Sequence, residues 1–260
     1  MNLSHNLIFM EEEGGLLSQK ERRSYKKVGK SELFSVKKGD SEIYYVKSER
    51  ERALFQEGEK EIESLVLRAL KLVFMELSYK RCTTILVVGV GNRGLVADSL
   101  GVEALKHLKI VCSKRGTMLC SLAPSVKGVT GIESYRIVKS VVDELSPAIV
   151  ICIDTLATKS VENLSSLVQI SPKGIIPGAG VNNSQKPLTK ETLGVPVVAI
   201  GVPLVIYAKE MVYSLMKENA VAINNELQNL IMTSKEVDFF VDSYARIIGG
   251  AINGIIYGNH

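Results

Sequence analysis

Histidine is scarce in this chain and tryptophan is absent: the 260 residues include His5, His107 and His260 and no others of the kind. Two of these lie near the termini, and His107 has no second histidine beside it on its stretch of chain. A histidine-based zinc site, a Ser-His-Asp triad and a Cys-His pair therefore have almost no material to work with. Cysteine is sparse as well. Cys82, Cys112, Cys120 and Cys152 form no C-x-x-C pair, and three of them lie in apolar, strand-like runs, as reduced, buried thiols of a cytoplasmic protein do. No apolar run approaches the roughly 18 residues of a membrane span. The opening stretch "MNLSHNLIFMEEEGG" lacks a basic segment ahead of an adequate hydrophobic one, so no signal peptide is expected. Charge of one sign is also missing: 32 Lys and Arg against 28 Asp and Glu leave +4, too little to argue for nucleic acid. Chemistry is left to carboxylates, lysines or a bound cofactor.

Apolar residues make up 46% of the chain, enough for a substantial core in one or two domains. Residues 1–32 are polar, charged and aperiodic and read as an N-terminal extension. "LFSVKKGDSEIYYV" (34–47) alternates about Gly39-Asp40 and predicts a hairpin. Glu59 to Leu77 carries Ile62, Leu65, Leu67, Leu70, Leu72, Val73 and Met75 at helical spacing. From residue 84 strand-like and helix-like segments alternate. The strands are expected at Thr84–Val88, Lys109–Cys112, Ala148–Ile153, Leu167–Ile170 and Val195–Ile200, the helices at Asp98–Leu108, Ile132–Leu145 and Leu204–Lys217. That alternation predicts one α/β domain over 33–260, a three-layer sandwich with a mainly parallel central sheet. In the tail, Thr233 and Glu236 stand at capping-box spacing ahead of an apolar stripe, which predicts a docked helix over 233–256. Gly249 and Gly250 within it imply close approach of another backbone.

The stretch "TILVVGVGNRGLVADSLG" (84–101) places Gly89, Gly91 and Gly94 at G-x-G-x-x-G spacing directly after a strand. One reading is a dinucleotide cradle. The acidic residue that should hold the ribose is missing, so Lys114 and Arg115 would have to meet a 2′-phosphate. The other reading is that the loop presents Asp98. "PAIVICIDTLATKS" ends a strand at Asp154, and ligands of open α/β sheets bind beyond such carboxyl ends. Two carboxylates facing one crevice share a proton and activate water. On pattern alone, a helix cap at Asp98 and a turn at Asp154 are the commoner arrangement.

Residues 84–208 carry "VVGVGNRGLVADSLG", "SLAPSVKGVTGIES", "IVICIDTLATKSVENLSSLVQISPKGIIPGAGV" and "ETLGVPVVAIGVP" in that order. In this they resemble the germination protease family of spore-forming bacteria, and the tail resembles the family's C-terminal helix. The resemblance implies an atypical aspartic-type endopeptidase that degrades small acid-soluble spore proteins during germination. It works in the cytoplasm of the forespore or spore core, without a cofactor and without nucleic-acid or membrane partners. Asp98 in "ADSLG" and Asp154 in "CIDTLA" match the family's two essential aspartates. Gly89, Gly91, Asn92, Thr130, Glu133 and Gly178 fall in the matching segments and are expected to form the supporting shell. The family's fold is related to that of hydrogenase maturation proteases, whose equivalent acidic positions bind a metal, so a metal bridging Asp98 and Asp154 is the alternative mechanism. The resemblance also implies a homo-oligomer, a tetramer in the family, and a zymogen whose pro-segment corresponds to the extension 1–32.

The chain departs from the family pattern around the expected site. Val96 and Ala97 replace Thr-Pro, Val102 a proline, and Ser125 and Lys127 interrupt "APGVMG". Pro172, Ile176 and the run Asn182 to Gln185 replace polar, glycine-containing and basic residues. Leu204 and Tyr207 stand where threonine and aspartate are usual, and Asn6-Leu7 stands near where a self-cleaved aspartate-leucine bond would be. These changes keep both aspartates and alter what surrounds them. A catalytically weakened member serving as a binding or assembly subunit is therefore the alternative function, with an NADP-binding protein behind it.

Overall fold

Three apolar runs and one short edge strand form the parallel part of a single sheet, and antiparallel strands extend it. The computed structural model describes residues 22–79, 83–113, 116–177, 186–216, 227 and 230–258. In chain order the elements are β1 (Arg22–Val28), β2 (Ser31–Lys38), β3 (Ser41–Lys47), a 3-10 turn (Arg50–Leu54) and α1 (Gln56–Glu76). Then follow β4 (Thr84–Gly89), a 3-10 turn (Val96–Asp98), α2 (Leu100–Leu105), β5 (Met118–Leu122), α3 (Lys127–Thr130) and α4 (Ser134–Leu145). The remainder is β6 (Ile149–Thr158), β7 (Leu167–Ser171), α5 (Lys190–Leu193), β8 (Val197–Tyr207), α6 (Ala208–Met216), β9 (Ile231–Met232) and α7 (Val237–Tyr257).

The sheet order is β1-β2-β3-β7-β8-β6-β4-β5, with β9 added beside β8. β8, β6, β4 and β5 run parallel, whereas β1, β2, β3 and β7 pair antiparallel, as does β7 with β8. The parallel strands β6 and β8 are apolar almost throughout because helices cover both of their faces. α1, α2 and α7 pack on one face, through Leu65, Leu100, Phe240 and Ile248 among others. Val138 and Val142 of α4 and Leu193 of α5 pack on the other. The architecture is a three-layer α/β sandwich, and its parallel part carries both aspartates.

Several expected elements shift. The sheet begins at Arg22, ahead of the boundary expected at residue 33, because "RRSYKKV" pairs with β2 as an edge strand despite its charges. Residues 1–21, with Asn6-Leu7, lie outside the described residues. Lys109–Cys112 is not a strand of the sheet. Ile110 and Val111 are exposed, Cys112 makes one bridge to Met118, and a turn at Ser113–Thr117 delays the strand to β5. Cys112 is accordingly an exposed thiol rather than a buried one, although Cys152 is fully buried. Leu204–Tyr207 continues β8 instead of starting a helix: Ile206 and Tyr207 pair with Met232 and Ile231 of β9. Met75 of the expected α1 stripe faces solvent, and Val66, Ala69 and Phe74 fill the buried face.

The tail helix α7 starts at Val237, and the expected capping box is absent. Thr233 donates its hydroxyl proton to the Leu204 carbonyl at 2.6 Å instead, tying the helix approach to β8. The two mid-helix glycines are seats. A Cβ at Gly249 would lie 2.5 Å from His107 Cβ, and one at Gly250 2.6 Å from the Glu63 carboxyl. Each glycine costs about 1 kcal/mol against alanine, while each fully buried Phe, Val or Ile of the stripe stabilises by roughly 1.5–3 kcal/mol. With Phe240, Tyr244, Ile247, Ile248 and Ile252 all buried, burial outweighs the glycines.

Candidate active site

Asp154 is placed by the ladder. Along β6, Ile151 and Ile153 face α1, α2 and α7, and Cys152 faces α4; the two-residue period of a strand puts the Asp154 Cβ on the face of Cys152. β6 pairs with β4 only as far as Ile153, which sits opposite Gly89. Val90 closes that ladder by donating its N–H to the Ile153 carbonyl at 2.8 Å. The next N–H on that edge is Thr155's, and it has no strand partner because β4 has ended. Asp154 Oδ1 accepts it at 2.8 Å. On its other edge β6 continues beside β8, with Asp154 opposite Gly201. Asp154 is thus not the last residue of its strand, as expected from sequence, but the first beyond its neighbour's end. It is 3% exposed.

Asp98 is placed by the glycine loop. Gly91 has φ +121, and a Cβ there would lie 1.9 Å from the Asp98 carbonyl oxygen, so only glycine lets the loop close on itself. The Asn92 N–H then bonds both the Asp98 carbonyl at 3.1 Å and Asp98 Oδ2 at 2.8 Å. Asn92 Oδ1 accepts the Gly94 N–H at 2.9 Å, and the Asn92 carbonyl accepts the Leu95 N–H at 3.0 Å. Gly89 and Gly101 bring the strand and α2 together. A Cβ at Gly101 would lie 2.3 Å from the Val90 oxygen and 2.4 Å from the Ile153 oxygen.

This wiring bears on the dinucleotide reading. The N–H groups of Asn92, Gly94 and Leu95, which a pyrophosphate would need, are spent inside the loop, one of them on a carboxylate. The helix that follows is the six-residue α2, and Gly94 has only the Asn92 side chain within reach of a Cβ. Lys114 and Arg115 lie outside the described residues.

Burial sets the electrostatics. Asp98 is half-buried, and desolvation lifts its carboxyl from the ordinary 3.8 to about 6, against the pull of the Asn92 N–H. Asp154 is pushed well above the ordinary range, first by desolvation and then by the charge of Asp98, with the Thr155 N–H opposing. The two carboxyls titrate as a coupled pair, and burial holds protons on it above the ordinary carboxylate range. Burial also pushes the Cys152 thiol up, which keeps it an inert core residue.

The expected shell divides. Gly89, Gly91 and Asn92 build the loop under Asp98. Thr130 bonds the Val126 and Ile132 carbonyls at 3.3 and 3.0 Å, closing the turn after α3. Glu133 is the N-cap residue of α4 and pairs with Lys127 at 3.7 Å. These contacts hold the start of α4 rather than the carboxylates. Gly178 lies outside the described residues. Among the described residues no group of three or more His, Cys, Asp or Glu could hold a metal ion. Two carboxylates alone fall short of the ligand set of a catalytic zinc.

A model of the germination protease family matches residues 25–218, from β1 to just past α6. This chain belongs to the germination protease family. Among the similar proteins is the germination protease of Caldanaerobacter subterraneus subsp. tengcongensis, 34% identical, covering 76% of this chain and 74% of that one. That of Clostridium perfringens is 33% identical and covers 65% of each. That of Bacillus subtilis is 36% identical, covering 66% of this chain and 52% of its own. The chain thus spans about two thirds of the clostridial relative and about half of the Bacillus one. Among solved structures, the [NiFe] hydrogenase maturation protease HycI from Thermococcus kodakarensis KOD1 aligns at 16% identity with a TM-score of 0.39, over 70% of this chain and 99% of that one. Germination proteases are peptidases, and no helix among the described residues is long and apolar enough to cross a membrane.

Proposed function

We propose that this chain is an endopeptidase that hydrolyses small acid-soluble spore proteins during germination, in the forespore or spore core, with Asp98 and Asp154 as its catalytic pair. The observation that carries this reading is the pair's placement: the glycine loop holds a half-buried Asp98 carboxyl, the end of β4 leaves a fully buried Asp154 carboxyl, and the two interact electrostatically, both raised above the ordinary range by desolvation. A half-buried carboxylate that solvent reaches suits the base, and a fully buried carboxyl suits the acid. Ionised Asp98 takes a proton from water as the water oxygen attacks the substrate carbonyl carbon. Neutral Asp154 gives its proton to the carbonyl oxygen. The resulting tetrahedral diol collapses, the C–N bond breaks, and the proton held by Asp98 passes to the departing amine. A diol proton returns to Asp154, restoring the starting state.

By family resemblance the working form is a homo-oligomer, a tetramer, and the N-terminal extension corresponds to the family's pro-segment, without a convincing copy of its self-cleavage site. The experiment is cleavage of a purified small acid-soluble spore protein by the wild type, Asp98→Asn and Asp154→Asn. Asparagine keeps the shape but carries no charge and accepts no proton, so each variant is expected to lose at least roughly 10²-fold. The double variant is expected to be little worse than either. Retained cleavage in either single variant contradicts the assignment. Loss of cleavage on chelation, restored by a divalent metal, replaces it with the metal-bridged mechanism. A well-folded wild type that cleaves nothing leaves the binding-subunit function, which the buried Leu204 in place of a polar residue favours.

A further inference from the structure

The loop that carries Asp98 also holds two large aliphatic side chains out in solvent. Leu95 is 59% and Val96 50% exposed. Neither joins a hydrophobic core cluster among the described residues, so the fold draws no burial from their size. Single exposed apolar residues are ordinary on a surface. Two in succession, on a loop whose backbone is held throughout, are a different matter. The Leu95 N–H donates to the Asn92 carbonyl at 3.0 Å, and the Leu95 carbonyl accepts the Asp98 N–H at 2.9 Å. The Val96 carbonyl accepts the Ser99 N–H at 3.1 Å and the Ser99 hydroxyl at 2.8 Å.

These bonds set the aliphatic pair beside the aspartate. A turn closed between one residue and the third after it keeps their Cα atoms within about 7 Å, so Leu95 stays next to Asp98. Asp154 is 3% exposed, and a substrate therefore reaches the two carboxyls from the side of Asp98, across this loop. The neighbouring loop repeats the feature. β5 leaves the sheet beside β4 after the pair Val88–Leu122, and the segment that follows it exposes Val129 and Ile132, which also stay outside the core clusters. Both loops stand at the carboxyl ends of parallel strands, where α/β sheets bind their ligands.

We infer that Leu95 and Val96 are specificity-determining residues, forming an apolar subsite for a large apolar side chain of the substrate polypeptide beside the scissile bond. The inference rests on the proposed peptidase function, and the occupant is the substrate because the subsite is continuous with the loop that closes on Asp98. An aliphatic wall sheds water when an apolar side chain covers it and gains nothing from a polar one. A mismatch of one such group changes kcat/KM by roughly 10–200-fold.

The test begins with a purified small acid-soluble spore protein, in which the bonds cut by the wild type are mapped by mass spectrometry. Peptides spanning one cut are then compared with versions in which each flanking apolar residue in turn is serine. The wild type is expected to lose at least roughly tenfold in kcat/KM at one of these positions. In the double variant Leu95→Ser, Val96→Ser that preference is expected to shrink to about twofold. On the parent peptide its KM is expected to rise with kcat unchanged, and its melting temperature to match that of the wild type. Ile110→Ser serves as the control: Ile110 is also 50% exposed but precedes β5, at the other end of the sheet, and this variant is expected to keep the full preference. An undiminished preference in the double variant overturns the inference, as does an equal loss in Ile110→Ser, or mapped cuts with no large apolar neighbour. Should the double variant not fold, Val96→Thr, which keeps the shape and adds a hydroxyl, takes its place, and an undiminished preference there overturns the inference. Asp98→Asn and Asp154→Asn run alongside. If they still cleave, or if the wild type cleaves nothing, the dyad reading falls and the inference with it. If they are inactive while the double variant keeps the preference, only the inference falls.

Discussion

At the end of β4 the close contacts are backbone on backbone, whereas across β1, β2 and β3 the contacts that tie the strands beyond their ladder are side chain on side chain. At the end of β4, Gly89, Gly91 and Gly101 leave no room for a methyl group against Gly101, Asp98, Val90 and Ile153. In the antiparallel half the Arg22 guanidinium lies 3.6 Å over the Phe34 ring, Phe34 stacks on Tyr45 at 5.3 Å, and the Tyr25 hydroxyl donates to Glu42 at 2.6 Å. The hairpin glycine Gly39 has φ +61 and open space around it. The proposed catalytic pair needs two carboxyls held in place, and fixed backbone on either side of them provides that. The antiparallel strands need only remain paired.

The strongest test of this contrast compares two glycines. Gly101→Ala forces a methyl group between two carbonyl oxygens and is expected to cost about 3 kcal/mol or more, with cleavage lost. Gly39→Ala meets only the left-handed backbone penalty, about 1 kcal/mol, with cleavage unchanged. Equal thermal shifts in the two variants would break the comparison.

The next effect is the stability that the aspartates withhold. Both have folded-state pKa values above the ordinary 3.8, so the folded chain holds more protons than the unfolded one in that range. Their contribution is fully present below the unfolded value and is lost as pH rises, through about 6 for Asp98 and higher for Asp154. Asp98→Asn and Asp154→Asn are accordingly expected to melt higher than the wild type at mildly alkaline pH, and the gain should shrink on acidification toward the ordinary carboxylate range. Melting curves across pH check this; a constant or inverted difference contradicts it.

The smallest effect concerns Ser125, one of the departures from the family pattern, which sits at φ +61 between β5 and α3. Ser125→Gly is expected to stabilise by about 1 kcal/mol, the left-handed penalty for a residue with a Cβ. Denaturant titration measures it, and a loss of stability would show that the serine makes a contribution larger than its strain.

What was legible in the sequence follows the same division. β4, β6, β7 and β8 are apolar runs bounded by turns, a pattern that buried strands cannot hide. β1 was missed because an edge strand needs no apolar alternation, and β5 because "MLCSL" is short and partly exposed. Ile110 and Val111 mimic a strand. They lie in a crossing loop, pinned where the Tyr257 hydroxyl bonds the carbonyls of Lys109 and Val111. The β8 run through Tyr207 carries an apolar pattern that a helix and a strand share, so only its pairing with β9 distinguishes them. At the site, the glycine loop and the two aspartates were visible as motifs. The end of β4 relative to β6, which leaves Asp154 beyond its neighbour, is not written in any spacing, because it is a property of strand register.

The proposed catalytic pair requires that Asp98 and Asp154 share a proton near neutrality. Side-chain carboxyl carbon shifts of these two residues, followed by NMR across pH in the wild type, measure it directly. Two separated steps are expected, both displaced above the ordinary 3.8 and one of them near 6. Two carboxyls that both titrate near the ordinary 3.8 would contradict it.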